Sequence, residues 1–131
     1  MYSESMLAKG VYDALIGAAP LMALVTGVYD HVPQETAKPF VKYDISSREW
    51  GADDIDGAEA TITVHTWTGG RGTKLLKQIQ DATKNALHNA AVSVTGSNVV
   101  VCYWESHTSA LEPDGITRHG VSIFKMILSG V

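Results

Sequence analysis

Cysteine, concentrated positive charge and long apolar runs are all scarce in this chain, and each shortage removes a class of protein. Cys102 is the only cysteine, so no intrachain disulfide can staple the fold. Its neighbours Val100, Val101 and Tyr103 make it read as a core filler, since a reactive thiol needs exposure and a stabilised anion. Lys and Arg number 10 against 14 Asp and Glu, for a formal net charge of -4. A nucleic-acid grip needs its bases concentrated, and these are scattered. No uninterrupted apolar run approaches the roughly twenty residues that cross a bilayer. Met1-Tyr2-Ser3-Glu4 lacks the basic flank and long apolar stretch of a secretory signal, so an intracellular, reducing setting is the expectation. Internal repeats and low-complexity tracts are missing too.

What is present is enough for one core. At 131 residues and 45% hydrophobic content, residues 1–131 read as a single domain. The most informative stretch is Ala60 to Trp67, a strand that breaks at Gly69-Gly70 and runs into the helix-forming segment Thr73 to Ala90. Ala60, Ile62 and Val64 share the greasier face, which the helices are expected to cover. A helix from Ser3 to Gly17, capped by Ser3, carries Gly10 in its interior and so must be held by packing. Pro20 opens a further helical turn through Val25. Val28 and Tyr29 form a short edge piece, and Phe40 to Ile45 alternates as a second strand. Ser46 to Gly57 reads as a polar, acidic loop around Trp50.

Ser97 to Ser106 is apolar on both sides, with Val99, Val101 and Tyr103 opposed to Val100, Cys102 and Trp104. Glu112-Pro113-Asp114-Gly115 is a turn, so Val99–Ala110 pairs with Thr117–Leu128 as a long hairpin. The sum is an α+β domain. It has a single mixed or antiparallel sheet, two main helices packed on one face and a long C-terminal β-hairpin.

Chemistry is harder to find. Of the five histidines, His65, His107 and His119 lie near strand ends and could assemble a zinc site or, with Cys102, a metal- or thiol-dependent enzyme. Ordinary half-buried imidazoles are the plainer reading. Asp53, Asp54 and Asp56 lack the ligand spacing of a calcium loop and form a solvated acidic segment able to meet a basic partner. Thr68 to Thr73 fails both the Walker and the dinucleotide patterns, leaving Arg71 exposed at a sharp reversal.

Four motifs in order resemble the tail-completion or tail-terminator proteins of long-tailed phages and gene transfer agents. They are Val28-Tyr29-Asp30-His31-Val32-Pro33, Lys38-Pro39-Phe40-Val41, Ile62-Thr63-Val64-His65-Thr66-Trp67 with its glycine turn, and Gly115-Ile116-Thr117-Arg118-His119-Gly120. The resemblance implies a structural protein, not an enzyme, without cofactor, metal or membrane contact. Assembled in the host cytoplasm, it would form a ring of copies of itself, a hexamer in the family, at the head–tail junction of a virion or phage-like particle. Its other partners would be the tail tube protein and the head-tail connector or stopper, with DNA passing through unbound. A neighbouring head-tail adaptor is the nearest alternative. Interface candidates are Trp50, Asp53, Asp54, Asp56, Arg71, Tyr103, Trp104, Pro113, Asp114, Phe124 and Met126.

Overall fold

The first helix, α1 (Glu4–Ile16), starts where Ser3 supplies a cap: its Oγ accepts from the Met6 N–H at 3.2 Å. Leu7, Val11 and Leu15, four residues apart, are fully buried along one stripe. A single turn, α2 (Ala19–Met22), follows with Pro20 at its start, where a missing N–H costs nothing. Next come β1 (Val28–Tyr29), β2 (Phe40–Glu49), β3 (Gly57–Gly69), α3 (Lys74–Leu87), β4 (Asn98–Leu111) and β5 (Thr117–Ser129). This is a computed structural model, and it describes residues 3–50, 57–70 and 72–130. Among them no helix is long and apolar enough to cross a membrane.

The five strands lie in the order β1-β2-β3-β5-β4, with only the β1–β2 pair parallel. α3 carries the chain from β3 to β4 at the far edge, and β5 returns between them. Strand alternation then sorts every side chain to one of two faces. Ala58, Ala60, Ile62 and Val64 of β3 meet Leu128, Met126, Phe124 and Ser122 of β5, all fully buried under the helices. Thr61, Thr63, His65 and Trp67 take the opposite face, which no helix among the described residues covers, and are half-buried. The expected layering of two main helices on one face, with a long C-terminal hairpin, is what the molecule adopts.

Two local readings change. β2 does not stop at Ile45. It continues to Glu49, because Ser46–Glu49 pair in register with Thr61–Ala58, and ladder hydrogen bonds extend a strand whose own residues carry no apolar pattern. In β4 the alternation slips twice, between Val99 and Val101 and between Trp104 and Ser106. Each extra residue is a bulge that inserts an unpaired position. Val99, Cys102 and Trp104 therefore lie opposite Leu128, Met126 and Phe124 on the helix side, while Val101 and Tyr103 lie opposite Ile127 and Lys125 on the open side. Val100 stands out at a bulge, 63% exposed.

Gly10 is explained by close approach. A Cβ there would come within 2.4 Å of the Ser93 carbonyl oxygen, so α1 lies against the backbone that leads into β4. Gly→Ala in an open helix gains about 0.5–1 kcal/mol. Here a backbone oxygen must move, and overpacking typically costs about 1–3 kcal/mol. Gly10→Ala should lower the urea midpoint of unfolding; an equal or higher midpoint would contradict the contact.

Candidate functional site

The uncovered face of the sheet is the surface on which the chain's unusual side chains collect. Residues in register form rows across it: Phe40, Trp67 and His119; then Lys42, His65 and Val121; then Asp44, Thr63 and Ile123. Below them run Ser46, Thr61 and Lys125, and finally Arg48, Glu59 and Ile127. β4 adds Val101 and Tyr103 beside Ile127 and Lys125.

Rings fill one end of this face. Tyr29 meets the edge of Phe40 at 6.1 Å between centroids, Phe40 stacks on Trp67 at 5.4 Å, and Trp67 stacks on His119 at 4.4 Å and 5°. Such pairs add roughly 0.5–1.5 kcal/mol each beyond their area burial. His65 stacks on both Trp67 and His119. Its Nδ1 is 2.9 Å from His119 Nε2, its Nε2 is 3.3 Å from Asp44 Oδ2, and His119 Nδ1 is 3.1 Å from Glu112 Oε1. Burial, followed by the neighbouring His119 charge, holds His65 below the usual histidine range, against the pull of Asp44.

The other end is polar. Glu59 lies 3.8 Å from Arg48 and 3.9 Å from Lys125, and Lys125 Nζ donates to Thr61 Oγ1 at 2.8 Å. Half-exposed pairs of this length contribute at most about 1 kcal/mol, so they orient side chains more than they stabilise. Between the ends runs an apolar strip of Val101, Val121, Ile123 and Ile127, half-buried with no helix over it.

The expected interface residues scatter around this face. Tyr103 is on it, 38% exposed. Trp50, 37% exposed, is pinned back: its ring lies so close over Gly57 that a Cβ there would meet it at 2.6 Å. Pro113 and Asp114 sit in the exposed turn between β4 and β5. The Asp114 carboxylate accepts from the Thr117 hydroxyl and from the N–H groups of Thr117 and Ile116, which bring it down to about 2. Phe124 and Met126 are fully buried on the helix side, where alternation from Ile123 and Ile127 puts them, and so belong to the protomer's own core. Trp104 also faces the helices, with the Lys84 ammonium 4.0 Å over its ring. Asp53, Asp54, Asp56 and Arg71 lie outside the described residues.

The three histidines do not converge. His107 is on the helix side, its Nδ1 2.8 Å from Ser122 Oγ, while His65 and His119 share the open face. Among the described residues no group of three or more His, Cys, Asp or Glu is arranged to hold a metal ion.

The family model described as Tail completion protein gp17 matches residues 9–129. The chain belongs to that family. Among solved structures, a chain of a "Virion of native gene transfer agent (GTA) particle" superposes with a TM-score of 0.82 at 24% identity, covering 92% of each chain. The bacteriophage SPP1 gp17 protein superposes with a TM-score of 0.64 at 21% identity, covering 95% of this chain and 91% of that one. At those identities the two structures speak for the fold. No curated protein matches the chain.

As a tail-completion protein the chain is structural and acts in a phage-like tail, at the head–tail junction. Family membership is what sets the enzyme reading aside. The tail-completion motifs also acquire a physical meaning, because Tyr29, Phe40, Trp67 and His119 come one from each of the four and stack in one continuous series. Sequence reasoning singled out His65 and His119 but missed Asp44 and Glu112, which reach them only through strand register. Period-two alternation puts His65 and Trp67 on one face; nothing local says which residues of β2 and β5 lie beside them.

Cys102 is 1% exposed, and burial pushes its thiol up to about 11. At pH 8 roughly one molecule in a thousand is then thiolate. A thiol-specific reagent should modify the folded protein on the order of 100-fold more slowly than the urea-unfolded chain. Comparable rates would mean an accessible, activated cysteine.

Proposed function

We propose that this tail-completion protein closes into a ring of identical copies at the head-proximal end of the tail tube, ending tube growth and receiving the head connector. One observation carries the reading: the sheet is covered on a single side, and the bare side keeps Val101, Val121, Ile123 and Ile127 only half-buried. Apolar surface of this kind is stabilised by a partner.

In a cyclic assembly each copy offers two different patches, and rotation closes the circle. The hairpin's open face is one patch; an outer helix surface of the next copy is the other. Six copies is the number the family resemblance implies. The turn at Glu112–Gly115 and the segment Ser46–Gly57 are what docks on tube or connector. The acidic balance of the chain, -4 overall, favours passage of DNA without capture.

Two experiments test the reading. In particles lacking the chain, electron microscopy should find overlong tails, or finished tails that fail to join heads; normal joined particles would reject the proposal. Ile123→Glu with Ile127→Glu should leave the isolated protomer folded, judged by circular dichroism, while preventing its incorporation into tails. Normal incorporation would remove the open face from the ring contact. Neutralising Asp53, Asp54 and Asp56 with no effect on attachment or DNA delivery would likewise free those residues of any role.

A further inference from the structure

We propose that His65 and His119 form a proton-counting clamp that ties the β4–β5 turn to the sheet through Glu112 and is complete in only one protonation state.

The geometry sets the count. Asp44, His65, His119 and Glu112 make a chain with contacts of 3.3, 2.9 and 3.1 Å. The two terminal carboxylates can only accept, so each favours a proton on the ring nitrogen it faces. The nitrogens that face each other at 2.9 Å hold one proton between them. Three protons on four nitrogens make one neutral imidazole and one imidazolium.

The surroundings place the charge. His65 is the neutral ring, donating from Nε2 to Asp44 and accepting at Nδ1. His119 is the cation, donating from Nε2 to His65 and paired through Nδ1 with Glu112 at 3.1 Å. Trp67 lies flat against His119 at 4.4 Å and favours a cation there. Lys42, paired with Asp44 at 2.7 Å, stands beside His65 in register and opposes a second charge. From the turn, Asp114 is engaged by Thr117, which also takes the Lys38 ammonium at 2.9 Å. On β4 the residues opposite His119 and Val121 are Ala110 and Thr108, neither titratable. Lys125 and Glu59 belong to the far rows of the face, and Arg118 points to the other side.

Two departures break the clamp. With a fourth proton, two N–H groups confront each other across the 2.9 Å contact. With only two, one of the three contacts has no hydrogen to share. Because folded His65 takes up its proton at lower pH than an ordinary histidine of 6.5, the unfolded chain gains a proton first as pH falls. Stability therefore drops below that value. Above the window, loss of the shared charge turns the Glu112 ion pair into at most a neutral contact and loosens its hold on the turn. The pair titrates as a unit, in two macroscopic steps. This inference concerns the protomer and stands apart from the ring reading.

Long-range proton–nitrogen correlation spectra of the full folded chain, recorded from acid to alkaline pH, provide the test. His65 and His119 should titrate in two separated steps, with a single imidazolium between them. The amide signals of Gly115 to Thr117 should move at both steps. Glu112→Gln, at a partly exposed position, should uncouple the turn from the pair, so that the Gly115 to Thr117 amides no longer follow either step. His65→Gln should collapse the two steps into one. Independent single titrations of the two rings, a turn that ignores both, or turn amides that still follow both steps in Glu112→Gln would overturn the clamp.

Discussion

Everything in this molecule hangs on the antiparallel register that holds β3 between β2 and β5. Ala58↔Leu128, Ala60↔Met126 and Ile62↔Phe124 set one face, and because side chains alternate strictly, the same pairing decides the other. A slip of one residue would turn the buried row to solvent and carry His65 and Trp67 under the helices. The hydrophobic gain of enclosing Ile62, Val64, Phe124, Met126 and Leu128 fixes the register, and the open face inherits its order from that gain. Interior packing therefore dictates the surface.

The helices depend on the same constraint. α1 and α3 can lie close to their supports because small residues stand where they come nearest. Gly10 admits the Ser93 carbonyl, and Gly120 leaves room for Gln80, whose amide reaches the Thr108 carbonyl at 3.0 Å. That bond links α3 to β4 across β5. The helix layer is thus keyed to one side, and the histidine-bearing side is left to the aromatic rings and the apolar strip. In the ring of copies proposed above, that is the side that meets the next copy.

Much of this could be read from residues alone. The helix-forming segment Thr73 to Ala90 announced α3, Ser3 announced the start of α1, and the Glu112-Pro113-Asp114-Gly115 turn announced the hairpin. Readings failed where neighbours in space outweighed neighbours in sequence. Ser46–Glu49 look like loop and are strand because β3 offers them a ladder. Phe124 and Met126 look available to a partner copy and are core because the helices fall on their side. The bulges of β4 leave no local mark, so Val99 parts from Val101 and Tyr103 and joins Cys102 and Trp104 on the helix side unannounced.

The sequence by itself determined most of the element types, the α+β class and the family, since periodicity, caps and turn chemistry act between residues close along the chain. Only the tertiary structure decided which side of the sheet is bare, that His107 parts company with His65 and His119, and that Asp44 and Glu112 become their partners. Those outcomes rest on strand register and helix placement. Both are settled by how apolar area is enclosed across the whole domain, a sum to which no short stretch of residues has access.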